Sequence, residues 1–232
     1  GLTGRAEFPQ LSLQVQDTPL TAAEPVVVTF DTTAVTFVRA RFAGGGSNMT
    51  IAGTKALTAD GVNDLTVEGR VNLNLLNVVS KDTFFSGFAD TSIRYIGRND
   101  GSARLSGTAN VVNGSIAAFL GSDRFTMNRI EARVIFTSDQ VAVEEATGYL
   151  GGGRFTASGG GTLVGLSIQA FRFSLNGNNV TVPLPQDFVT TGDARLQISG
   201  VRRAPALPLQ LSISGRIYAK RALYSEDIDL PS

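Results

Sequence analysis

The chain has 232 residues, 42% of them hydrophobic, and its 20 basic and 20 acidic side chains leave no formal net charge. That balance gives nucleic acid no general electrostatic pull. The absence of His and Cys removes the neutral-pH proton shuttle, the thiol nucleophile, the disulfide and the commonest zinc and iron ligands.

Alternation of apolar and polar residues begins at once. Leu11, Leu13 and Val15 alternate with Ser12 and Gln14, the period expected of a half-buried strand. Val26, Val28 and Phe30 follow, then Val35 and Phe37, and Met49 and Ile51 lead into a turn expected around Gly53. Leu65, Val67, Gly69, Val71, Leu73 and Leu75 keep one face apolar against Thr66, Glu68, Arg70, Asn72 and Asn74. Further strands read 130–136, 140–144, 154–157, 171–175, 180–184 and 194–199. The segment "LPLQLSISGRIYA", 207–219, closes the series with the same alternation. The clusters "ADG", "NDG", "NG", "TSDQ" and "NGNN" read as turns, because Asn, Asp and Gly tolerate positive φ. Frequent Gly and β-branched residues disfavour helix; short helical stretches are expected only at 73–81 and 117–123.

About 15 to 18 strands fit at ordinary strand lengths. No linker, charge block or low-complexity tract divides them, so 1–232 reads as one continuous all-β segment. Many strands pass through a central glycine, as in "LTVEGRVNLN", "ARLSGTANVV" and "LQISGVRR". Such glycines mark bends or bulges, and repeated bends of one sense imply an elongated, curved sheet: a barrel, a solenoid or an open trough. About 16 strands at roughly 4.8 Å would extend on the order of 75 Å.

These segments resemble the TamB family of AsmA-like envelope proteins, in order and along nearly the whole chain. "LSLQVQDTPLTAAEPVVVTFD" is similar to that family's strand–Pro–strand unit, and "TIAGTKALTADGVNDLTVEGRVNL" to its paired glycine-punctuated strands. "GFADTSIRYIGRNDGSARLSGTANVVNGSIA" resembles its repeated Gly-Thr or Gly-Ser strand module. The densest match is "NRIEARVIFTSDQVAVEEATGYLGGGRFTASGGGTL". The end, "GRIYAKRALYSEDIDL", resembles a C-terminal segment through Gly215, Arg221, Tyr224, Asp227, Ile228 and Leu230. The resemblance implies a long sheet folded into a groove (a β-taco) with an apolar interior. It also implies a periplasmic segment of an inner-membrane-anchored bridge that carries phospholipid to the outer membrane and partners an outer-membrane β-barrel protein. The chain opens on Gly rather than Met and is read as an excised or processed piece, with any anchor outside it.

The groove-face candidates are Phe30, Phe37, Val67, Leu73, Val134, Phe136, Phe155, Phe171, Phe173, Leu196, Ile198, Leu211 and Ile213. They read equally as an ordinary sealed core. No catalytic residue, metal or cofactor is expected. "GGGRFTASGGG" is not a phosphate loop: Gly160 and Gly165 have the spacing, but Leu166 stands where lysine is needed and no helix pattern follows. Gly44–Gly46 fares no better. Adjacent Glu144 and Glu145 are expected on opposite faces of a strand, so they do not form an acid/base pair. Asp227 and Asp229 read as edge charges, Arg202 and Arg203 as a polar turn with some reach toward anions. The three Asn-x-Ser/Thr triplets carry no weight in a bacterial chain. Two other readings stand beside lipid carriage: a scaffold that docks outer-membrane proteins by adding strands to a free sheet edge, and, last, a carbohydrate-active solenoid with paired carboxylates.

Overall fold

The computed structural model describes residues 2–15, 17–78, 83–120, 123–184, 188–203, 207 and 209–224. They form fifteen strands in a single antiparallel sheet that does not close. In chain order these are β1 (Gly4–Phe8), β2 (Ser12–Val15), β3 (Thr18–Ala22), β4 (Val26–Phe30), β5 (Ala34–Gly44), β6 (Ser47–Ala56) and β7 (Val62–Asn72). Then follow β8 (Thr83–Arg98), β9 (Ala103–Leu120), β10 (Asp123–Ser138), β11 (Gln140–Leu150), β12 (Gly153–Val164), β13 (Ser167–Leu184), β14 (Phe188–Val201) and β15 (Gln210–Tyr224). From β4 to β15 every strand pairs with its neighbour in sequence. β1 closes the other side of β4, and the β2–β3 hairpin joins β5 beyond the end of β4, through Thr21 and Ala22 against Ala43 and Phe42. The thirteen strands of the main path span about 58 Å at 4.8 Å each.

The sheet is open. Its accessible surface is 14400 Å², against roughly 10,000 Å² for a compact protein of 24.4 kDa. Among the described residues no helix layer covers either side, and the one helical element is a 3-10 turn at Leu73–Val78. The large buried side chains gather in two clusters on the same face. One gathers Leu20, Val26, Val28, Ala40, Phe42 and Met49, with Leu11, Val15, Val71 and Leu75 packed on it. The other gathers Ile130, Leu150, Phe155, Leu175, Val180 and Ala194 from β10–β14. In the second, β13 approaches β10, three strands away, so the sheet curls toward this face.

The curl has a sequence cause. Among the described residues four non-glycine residues have positive φ, and Asn113, Arg129 and Asn179 lie at breaks in the strand register. Each break inserts extra residues on one strand, which bends it and sharpens its twist. The neighbouring strand supplies the missing hydrogen bond: Asn113 N–H donates to Glu131 Oε1 at 3.0 Å, and Asn179 N–H to Asp193 Oδ1 at 2.9 Å. The acids open matching tetrads, Glu131-Ala132-Arg133-Val134 and Asp193-Ala194-Arg195-Leu196. A β9–β10 device is therefore repeated at β13–β14.

Several expectations need correction. "NG" at Asn113 and "NGNN" at 176–179 are bulges inside β9 and β13, not turns. Gly53 lies within β6, opposite both Phe37 and Leu65. Residues 117–120 are strand, while 121–122 lie outside the described residues. The short helical stretch expected at 73–81 is present over its described part, as a 3-10 turn at Leu73–Val78, and 79–82 lie outside the described residues.

Candidate functional site

Register fixes which side chains share a face, since residues directly opposite point the same way. One row runs Ile51, Val67, Ile93, Gly107 and Phe136 across β6–β10. It continues through Val141, Gly161, Phe171, Gly200 and Leu211 across β11–β15. A second row, two residues along each strand, passes from Met49 through Gly69, Thr91, Ala109 and Val134. It goes on through Val143, Gly159, Phe173, Ile198 and Ile213. A third begins at Val71 and ends at Leu175, Leu196 and Gly215. No charged side chain interrupts any of the three, and Thr91 is the only polar residue in the first two. Ten strands at about 4.8 Å make a stripe roughly 43 Å long.

Of the thirteen groove candidates, nine lie in these rows: Val67, Val134, Phe136, Phe171, Phe173, Leu196, Ile198, Leu211 and Ile213. Phe155 sits one row further, 3% exposed within the second buried cluster. Phe30 and Phe37 share the face on β4 and β5. Leu73 falls in the 3-10 turn instead, because the apolar alternation continues past the end of β7.

The stripe is only half covered. Most of its side chains are partly buried, and at β15 they emerge: Leu211 is 62% exposed and Ile213 51%. Aromatic rings lie along the sheet rather than standing away from it. The Phe171 ring occupies the space a Cβ on Gly200 would need, and the Phe155 ring does the same at Gly148. Phe171 and Phe173 meet at 5.9 Å between ring centres, tilted by 53°, a favourable aromatic geometry. Glycine beside Phe thus thins the apolar layer while keeping it continuous.

One end of this face is polar. Asn63, 3% exposed, accepts from Ala56 N–H and Lys55 Nζ, both at 3.0 Å, and donates to Asn99 Oδ1 at 3.2 Å. This network ties the β6–β7 turn to the β8–β9 turn.

The opposite face is charged. Arg94 donates to Asp64 Oδ1 at 2.8 Å, Arg133 meets Glu144 at 3.4 Å, and Lys220 donates to Asp193 Oδ1 at 2.7 Å. The Arg94 hydrogen bond holds the Asp64 carboxyl below its usual range. Lys220, then Asn179 N–H, does the same for Asp193. Glu144 and Glu145 together oppose Ser158 at a bulge, both exposed, rather than taking opposite faces by simple alternation.

Compared with protein-family models, curated proteins and solved structures, the chain matches none. The TamB resemblance therefore rests on its motifs alone.

The glycine runs have structural roles. Gly45–Gly46 and Gly151–Gly152 are hairpin turns, and Gly159–Gly161 lie inside β12. Among the described residues no group of three acidic, His or Cys side chains could hold a metal; Asp227 and Asp229 lie outside them. Whole-chain charge hid one feature. Between Gly153 and Tyr224 there are eight basic residues and two acidic ones, Asp187 and Asp193. Counting charge by segment would have found it.

Proposed function

We propose that this chain is a segment of a periplasm-spanning, inner-membrane-anchored bridge that carries phospholipid along its apolar face toward the outer membrane. The observation that carries this reading is the stripe itself: charge-free, crossing ten strands, and left half open by a sheet with no covering layer. An acyl chain laid across the strands would remove both its own surface and that of the stripe from water, at about 0.8 kcal/mol per methylene fully buried. Such carriage needs no acid, base or nucleophile, which suits a chain without His or Cys.

Native mass spectrometry of the purified chain, followed by organic extraction, tests this. Phospholipid in stoichiometric amount is expected, lost in Phe173→Asp and Ile213→Asp but retained in Ser174→Asp on the other face. A lipid-free parent protein, or lipid retained in both apolar-face variants while they stay folded, sinks the reading.

A second reading is supported by β15. Among the described residues this fifteen-residue strand pairs with β14 alone. A scaffold that docks strands of an outer-membrane β-barrel protein would use its other edge. Proline substitutions along it would then abolish binding of unfolded barrel strands without changing lipid content.

A further inference from the structure

The basic surplus of the last four strands is gathered on the polar face. Arg195 on β14 lies directly opposite Arg216 on β15. Its other cross-strand neighbour, on β13, is the uncharged Asn176. Like charges in that position repel, and neither guanidinium makes an ion pair among the described residues. Beside them is an open depression of about 490 Å³, lined by Arg154, Asn176, Asn178, Asp193, Arg195 and Tyr218 among others. Its single carboxylate is already matched, by Lys220 at 2.7 Å and by Asn179 N–H at 2.9 Å. Arg154 is steadied over the Tyr149 ring, 5.8 Å from its centre. What remains unmatched is positive charge, flanked by neutral amides. Another depression on this face, lined by Glu68 and Arg94, lacks that surplus, because Arg94 is committed to Asp64.

We propose that this depression binds a phosphate-bearing polyol, with the oxyanion on Arg195 and the polyol reaching toward Arg154, the two arginines that line it. Guanidinium matches phosphate through paired N–H donors, and the ligand would offset the Arg195–Arg216 repulsion with a counter-charge on Arg195. Asn176 and Asn178 would donate to and accept from the hydroxyls. The volume suits a ligand of one or two sugar units. The polyol phosphate can come from a free sugar phosphate or from a lipid headgroup. The site lies on the face opposite the apolar stripe and stands independently of lipid carriage.

The test titrates the whole chain with glycerol 3-phosphate, following the arginine Nε–H resonances by NMR and the heat by calorimetry. Saturable binding is expected, with the largest shifts at Arg195 and Arg154, the arginines that line the depression. Arg195→Gln should weaken it at least about tenfold, the scale of one charge-assisted hydrogen bond. Arg172→Gln, on the same face but outside the depression, should change it less than about twofold. The unfolding temperature of Arg195→Gln should equal or exceed that of the parent, because a repulsive pair has gone. No saturation at 10 mM ligand, or equal weakening by Arg172→Gln, overturns the proposal. Vesicles of phosphatidylglycerol in phosphatidylcholine decide the source. Retention that depends on Arg195 assigns a lipid headgroup; binding of the soluble ligand alone assigns a free polyol phosphate.

Discussion

Gly107→Ala should be among the most damaging small substitutions in the chain. Gly107 sits inside β9 with φ at 123°, between Ile93 on β8 and Phe136 on β10. A Cβ there would drive into the Ser92 carbonyl oxygen and stand 3.0 Å from the Ile93 Cα. Two costs add. The backbone conformation is one that L-residues rarely adopt, worth about 1–3 kcal/mol. The overlap is with backbone, which cannot swing aside, so the β8–β9 pairing must shift, for roughly another 1–3 kcal/mol. Gly101 separates the two. Its φ is 93°, but a Cβ there meets nothing within 4 Å, so Gly101→Ala carries the first cost alone. Urea unfolding followed by far-UV circular dichroism should place Gly107→Ala about 2 kcal/mol below Gly101→Ala. With a slope of about 2–3 kcal/mol per molar, the midpoints differ by about 1 M. Equal midpoints for the two variants would refute the claim that close backbone approach at Gly107 leaves no room for a side chain.

Asp193→Asn should flatten the acid limb of the stability curve. The Asp193 carboxyl lies below its usual 3.8 because Lys220 and Asn179 N–H stabilise the anion, so its contribution is present above that value and lost as pH falls through the folded one; melting temperature from pH 7 to 2.5 reads it. Asn63→Ala should cost about 1–3 kcal/mol, because the buried Ala56 N–H loses its acceptor, and amide exchange at Ala56 should rise in step.

The strands were legible because one physical demand acts on all of them. Each has one face against apolar neighbours and one against water, so alternation survives from Leu11 to Ile217. The same signal misled at Leu73, where apolar residues continue but the chain turns. It was silent at Gly53, where a glycine between Ile51 and Leu65 looks like a hairpin and is instead the point at which Phe37 lies opposite a residue with no side chain. Asn113 and Asn179 looked like turn residues because the conformation that makes a turn also makes a bulge. What distinguishes them lies one strand later, in the carboxylate of Glu131 or Asp193 that accepts the displaced N–H. That partner is 18 residues away in one case and 14 in the other, beyond the reach of local pattern reading.

The candidate site divides in the same way. Most of the groove candidates fall on one face of the sheet, because which face a side chain takes along a strand is a local property. Whether that face is sealed is not local. It depends on whether a second layer covers the face, and among the described residues none does: the accessible surface is 14400 Å² where a closed core would leave about 10,000 Å². The basic depression was missed for the opposite reason. Arg154 and Arg195, which line it, are far apart in sequence and their charge is cancelled in the chain total. Antiparallel register alone places Arg195 against Arg216. The two faces therefore make separable demands: a charge on the stripe should expel an acyl chain and leave an oxyanion bound, and removal of Arg195 should do the reverse.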